Sequence, residues 1–270
     1  MATGWVIDHP AHARLLAPLM RELSSVDDVI IACDRAEVRS MIEYCDGYLP
    51  RRKTVWVPRP VGKGRWKKAW RRSRFSKKAL KNVSKVVSIG APLELRVAPR
   101  KAKKIYITDT EVNHLAHRLA TPTDVIIPTH FIDSLAGPLM KKKCKFHRID
   151  GLHGHVHLQP HMRPSSISDP PKILIRRLQG DGIHDSDEIL SIPENWLDGL
   201  DLNYADENQV DGNPWDLTTT MSSMDGVITQ SVTLASEAVL LGIPTLLVSK
   251  ARRGFLDRLV NDGYPLFIAR

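Results

Sequence analysis

"DGVITQSVTLASEAVLLGIPTLLVS", residues 225–249, decides how this chain is read. Gly226 to Thr229 has the composition of a short buried strand. Small polar residues, Thr229, Gln230 and Ser231, then open an apolar helical stretch that Gly242 and Pro244 bring to a stop. A second apolar run, "TLLVS", follows at once. One residue does not fit a plain core helix: Glu237 places a carboxylate among apolar neighbours. It lies four residues after Thr233, on the same helix face and one turn deeper. Amides at a helix start, carrying the partial positive charge of the dipole, suit a phosphate. The diphosphate of a nucleotide could therefore sit near Thr229 and Ser231, with its ribose diol on Glu237. The plainer alternative is a helix cap at Ser231 or Thr229 followed by a partly exposed glutamate.

The same alternation extends through the chain. In the first half, "GWVID" (4–8), "DVIIAC" (28–33), "KVVSI" (85–89), "KIYIT" (104–108), "DVIIP" (124–128) and "KFHRI" (145–149) read as strands. Helical patterns separate them, such as "HARLLAPLMREL" (12–23) and residues 35–44 and 111–119. Strands that are nearly all apolar, spaced by helices, argue for parallel sheets covered on both faces. Near residue 160 the texture turns to Pro and Ser, "QPHMRPSSISDPP", which reads as a linker. A second series follows with "KILIRRL" (172–178), "EILSIPE" (188–194), a weak strand near "LNYA", and the two strands of the opening stretch. The expected architecture is α/β, two doubly wound Rossmann-like domains facing a cleft, the second short. Its boundaries are 1–163 for the first domain, 164–171 for the linker and 172–270 for the second. Ligands of such sheets bind beyond the carboxyl ends of the strands.

With 270 residues the chain can bury a sizeable core. No apolar run approaches the roughly 18 residues that span a bilayer. The start, "MATGWVIDHPAH", meets an aspartate too early for a secretory signal, and Cys33, Cys45 and Cys144 cannot all pair. A reduced, cytoplasmic protein is expected. The net charge of +9 is unevenly placed. From Arg51 to Lys85 there is no acid at all, and Trp56, Trp66, Trp70 and Phe75 are interleaved with the bases. This reads as a basic insertion at 51–85, either a solvated loop with one helix or a surface for phosphate. Basic residues mixed with aromatics suit a membrane interface, so in the second of these readings anionic lipid or a lipid-linked acceptor is a candidate partner, with association at the membrane periphery.

The stretch 225–249 resembles the nucleotide-sugar-binding segment of GT-B glycosyltransferases and UDP-sugar 2-epimerases. More narrowly, the chain is similar to the uncharacterised DUF354 family assigned to that fold. "VIDHPAHARLLAPLMREL", with Asp8 and His12, resembles its first strand and helix. "YITDTEVNHLAHRLATPTDVIIPTHF", with Asp109, Thr110 and Glu111, resembles a later unit, and "GLHGHVHLQP" the segment before the linker. "ILIRRLQGDGIHDSDE" resembles the opening of the second domain, where an Arg precedes a His-Asp pair, here His184 and Asp185, and "SIPEN" supplies Glu194. The chain carries Ser231 and Val232 where the family usually has glycines.

The resemblance implies a nucleoside-diphosphate sugar as donor, no cofactor and no metal. Glycosyl transfer then needs positive charge on the departing diphosphate, which Arg176 or Arg177 and the amides near Ser231 would supply. It also needs a base for the acceptor, with Asp8, His12, Asp109 and Glu111 as candidates at strand ends. Asp109-Thr110 could equally cap a helix. A nucleotide-sugar 2-epimerase would share the donor site and use His184, Asp185 and Asp109 about the sugar. A non-catalytic protein that binds nucleic acid through 51–85 is the third reading, though no nucleic-acid-binding motif accompanies it. His153, His155 and His157 alternate and would share a strand face, but Gly151 and Gly154 interrupt any regular strand there.

Overall fold

The computed structural model describes residues 2–158, 166–178, 189–205 and 213–270. His184 and Asp185, and with them the "DSD" at 185–187, lie outside the described residues. The chain divides into two compact units, Met1–His153 and Gly154–Arg270. The segment read as a linker falls in the second of these.

The first unit opens with β1 (Thr3–Ile7), α1 (Pro10–Leu23), β2 (Val29–Cys33), α2 (Ala36–Glu43), β3 (Lys53–Val57) and α3 (Arg65–Ala79). It continues with β4 (Lys85–Ile89), α4 (Leu93–Val97), β5 (Lys103–Ile107) and α5 (His114–Leu119). β6 (Asp124–Pro128), α6 (Asp133–Ala136) and β7 (Lys145–Ile149) close it. All seven strands are parallel, in the order β3-β2-β1-β4-β5-β6-β7. The strand order reverses between β1 and β4, the place where open sheets of this kind leave a crevice.

Burial follows position in that order. Every residue of β1 and β2 is buried, as a central strand covered on both faces requires, whereas the edge strand β7 is largely exposed. Val6, Ile31, Val86, Leu95, Tyr106 and Ile127 belong to one core. Gly4 has no side chain because the Leu80 methyl at the end of α3 occupies that space. The start of β1 is held by Asp28, which accepts the Thr3 amide at 2.8 Å and the Trp5 indole N–H at 2.7 Å.

One expectation is corrected here. The acid-free stretch 51–85 is not an insertion: it supplies β3 and α3, a regular unit of the sheet. In "KTVWV" the apolar residues are diluted by Lys53 and Thr54, as an edge strand tolerates.

The second unit carries a 3-10 turn (His153–Val156, whose first residue closes the first unit), β8 (Lys172–Arg176), a 3-10 turn (Glu194–Trp196) and β9 (Asp201–Tyr204). α7 (Leu217–Ser222), β10 (Gly226–Thr229), α8 (Val232–Leu240) and β11 (Thr245–Val248) follow. α9 (Gly254–Asn261) and β12 (Leu266–Ala269) complete it. The five described strands are parallel, in the order β12-β11-β10-β8-β9, so order reverses between β8 and β10. Ile175, Ile228 and Val248 form part of its core. No strand forms over 189–194. Ile189 makes a single antiparallel bridge to Ser249, and Pro193, lacking an N–H, leads into the Glu194–Trp196 turn.

α8 stops by a Schellman arrangement. The Gly242 amide donates to the Val239 carbonyl at 2.9 Å and the Ile243 amide to the Ala238 carbonyl at 3.0 Å. That geometry puts Gly242 at φ +80°, where a Cβ is disfavoured.

Candidate functional site

The reversal between β1 and β4 gathers charge in the first unit. Asp8 leaves the end of β1, His9 caps α1 by accepting the Ala11 amide at 3.2 Å, and Pro10 starts the helix. His12 then sits in the first turn, where its Nδ1 accepts the Asp8 amide at 3.3 Å. This bond places the ring proton on Nε2. Burial, reinforced by the charge of His153, pushes the His12 pKa down to about 3, so the ring is neutral.

Asp8 is paired. Arg72, 2% exposed on the inner side of α3, donates from Nη2 to Asp8 Oδ1 at 2.7 Å and from Nε to Glu94 Oε1 at 2.8 Å. Its Nη2 also reaches Glu94 Oε2 at 2.9 Å, and the Ser76 hydroxyl donates to Oε1 at 2.9 Å. Burial works against the charge of Arg72, but Asp8 and Glu94 outweigh it and hold the guanidinium more firmly protonated than usual. Two carboxylates and one arginine thus form a closed, charge-assisted set.

Asp109, just past β5, carries the second cluster. Its Oδ2 lies 3.0 Å from His153 Nδ1, and Thr110 Oγ1 donates to Oδ1 at 3.1 Å. Burial alone would raise the Asp109 pKa, yet the charge and hydrogen bond of His153 hold it at about 2. The same pairing overcomes burial at His153 and raises its pKa above the ordinary histidine value. An imidazole oriented through Nδ1 by a carboxylate is a group that can take up and release a proton near neutral pH. The sequence reading selected Asp109 but took His153 only as one of three alternating histidines. Glu111, fully buried, has its Oε1 accept the Ile132 amide at 3.2 Å and so braces the start of α6.

In the second unit the residues of the opening stretch meet the end of β8. Thr229, fully buried, donates from Oγ1 to the Arg176 carbonyl at 3.3 Å and accepts the Ser231 amide at 2.9 Å. Gln230 is a clasp: Oε1 accepts the Leu178 amide at 2.7 Å, Nε2 donates to the Leu190 carbonyl at 2.6 Å, and its own amide donates to the Arg176 carbonyl at 3.1 Å. Ser231 caps α8 through the Leu234 amide at 3.3 Å. The amides of Val232 and Thr233, at the first turn, have no acceptor within the helix by its geometry. The turn therefore presents helix-start donors beside the point where the strand order reverses.

Arg176 donates from Nη1 to the Ala205 carbonyl at 3.1 Å. Arg177 points outward, 3.0 Å from Glu194 and over the Tyr204 ring at 5.8 Å. Thr233 is exposed, whereas Glu237 is 3% exposed, with Oε1 3.4 Å from His157 Nε2. Gly154 lets the 3-10 turn close on α8, since a Cβ there would run into Leu240. The three alternating histidines do not converge: His153 faces Asp109, His157 faces Glu237, and His155 is exposed. Among the described residues no group of three His, Cys, Asp or Glu side chains is arranged to hold a metal ion. No helix among them is long and apolar enough to cross a membrane.

No family model matches the chain, and no curated protein matches its sequence. Solved structures do. A UDP co-structure of S. aureus MnaA aligns with a TM-score of 0.66 at 12% identity, over 100% of this chain and 83% of that one. UDP-GlcNAc 2-epimerase from Methanocaldococcus jannaschii aligns with a TM-score of 0.62 at 13% identity, over 100% and 89%. UGT89C1 of Arabidopsis thaliana aligns with a TM-score of 0.56 at 10% identity, over 97% and 82%. At such identities the likeness is one of fold, and the fold is GT-B-like: two Rossmann-type parallel sheets, the second smaller.

Proposed function

We propose that this GT-B-like protein binds a nucleoside-diphosphate sugar through its second unit and transfers the sugar without a metal. The observation that carries the reading is the turn from β10 into α8. It sets helix-start amides at the reversal of strand order, with Glu237 buried one turn along the same helix. In this reading the amides of Val232 and Thr233 hold the diphosphate and Glu237 takes the ribose diol. Arg177, which is partly exposed, offsets the charge that develops on the leaving diphosphate. Support comes from the UDP in the MnaA co-structure, a protein of similar fold.

The first unit contributes proton chemistry. His153, steered by Asp109, is the group suited to take the proton of an acceptor hydroxyl. Asp8 is committed to Arg72 and Glu111 to the Ile132 amide, so neither is assigned that task. A thermal-shift screen with UDP, GDP, CDP and dTDP tests the donor site, because a ligand of the native state raises Tm by mass action. A rise with one base that disappears in Glu237→Ala is expected. No rise with any nucleotide removes the proposal.

The epimerase reading is kept because the matched structures include UDP-GlcNAc 2-epimerases. Incubation with UDP-GlcNAc and no acceptor separates the two reactions: a new sugar-nucleotide isomer appears only with an epimerase.

A further inference from the structure

We propose that the outward face of α3 docks this protein on an anionic lipid bilayer. Eight of its fifteen residues are Lys or Arg and none is acidic. Its inner side is fixed by Arg72 and Ser76, both buried against Glu94. That anchoring turns the remaining positions outward. Trp66 and Trp70, one helical turn apart, are 78% and 61% exposed, and Phe75 is 40% exposed. Large aromatics are seldom left so open on a monomer surface without a partner. Beside them stand Arg65, Lys67, Arg71, Arg74, Lys77 and Lys78, all exposed, and none makes an ion pair among the described residues.

The chemistry of this face selects its occupant. Three of the arginines lie over the aromatics: Arg65 over Trp66 at 5.3 Å, Arg74 over Trp70 at 5.5 Å, and Arg71 over Phe75 at 5.9 Å. Indole rings partition to the headgroup level of a bilayer, and long basic side chains reach lipid phosphates while their stems stay among the acyl chains. A helix lying in the interface plane combines these two features. An apolar protein groove would supply no counter-charge for the six bases, and an acidic protein surface would leave the indoles unburied. The inner face of the same helix holds Asp8 through Arg72, so docking would bear directly on the end of β1.

Sedimentation of the full chain with vesicles tests this, and it requires no nucleotide, so it stands apart from the donor-site reading. The protein is expected to pellet with phosphatidylserine-containing vesicles at low salt, to leave pure phosphatidylcholine in the supernatant, and to be released near molar salt. Trp66→Ala with Trp70→Ala should weaken partitioning about tenfold, with Tm unchanged because both side chains are exposed. Lys67→Glu with Arg74→Glu should abolish it. The matched change Lys141→Glu with Lys143→Glu, in exposed bases outside α3, should leave it intact. Failure to pellet overturns the proposal, as does pelleting that survives the tryptophan changes. Binding to single-stranded RNA at lower concentrations than to vesicles, lost in the α3 variants, also overturns it and assigns the face to nucleic acid.

Discussion

Arg72 Nη2 stands 2.7 Å from Asp8 Oδ1, so the helix with the most basic surface among the described residues is fastened through its interior to the end of β1. The same guanidinium holds Glu94, which is fully buried. Charge hidden in this way is stable only as a complete set.

Arg72→Met should therefore destabilise the first unit by about 3–5 kcal/mol, because the buried carboxyl of Glu94 is left with no cation beside it. Adding Glu94→Met should recover most of that loss, as apolar replacement of a whole buried pair is often neutral. Urea denaturation of the single and double variants measures both. Equal destabilisation of the two would show that packing, not charge, dominates at this position.

Stability should peak near the ordinary histidine pKa, for two opposed reasons. His12 is depressed to about 3, so as pH falls below about 6.5 the unfolded chain takes up a proton that the folded chain refuses, and stability drops. His153 is raised, so its stabilising pair with Asp109 is complete below about 6.5 and is lost as pH climbs through the folded value. Asp109, held at about 2, keeps its own contribution until strongly acid conditions. Tm measured against pH should fall on both sides. His12→Asn should flatten the acid limb, and His153→Gln should flatten the alkaline limb and also alter the acid one, because the His153 charge acts on both His12 and Asp109.

Gln230→Ala removes a side chain that ties the end of β8 to the segment at Leu190, leaving a part-buried amide and carbonyl without their partner. The expected cost is about 1–3 kcal/mol. Hydrogen exchange at the Leu178 amide should quicken in the variant, and unchanged protection there would remove the clasp assignment.

Gly242→Ala places a Cβ at φ +80° and should cost about 1 kcal/mol, read as a lower Tm. Asn at the same position, which tolerates the left-handed region, should cost less.

Much of the fold is legible along the chain because its strands are short apolar runs separated by helices. "DVIIAC" and "KVVSI" announce central strands through their clustered β-branched residues, and they are central. β3 escaped because "KTVWV" mixes bases into an edge strand inside a basic run. α9 and β12 were not read, although Phe255, Leu256 and Leu259 have helical spacing and Gly263 marks the stop with φ +79°.

The site was legible in its local parts and hidden in its distant ones. Ser231 as a cap, and Glu237 as a buried carboxylate after it, follow from residues within two turns. The pairing of Asp109 with His153 joins residues far apart in sequence, and no local pattern encodes it. Arg72 looks identical to its basic neighbours until the helix is oriented, since only the buried side of α3 distinguishes it.

β1 pairs with β4 in the register Trp5↔Val87, across most of the first unit. β1 thus lies open along that edge while two further βα units are synthesised. Nor can Arg72 find both of its carboxylates until Glu94 has emerged. The β1–β4 edge of this sheet consequently closes only after β4 has been made, a non-local pairing of the kind that slows folding.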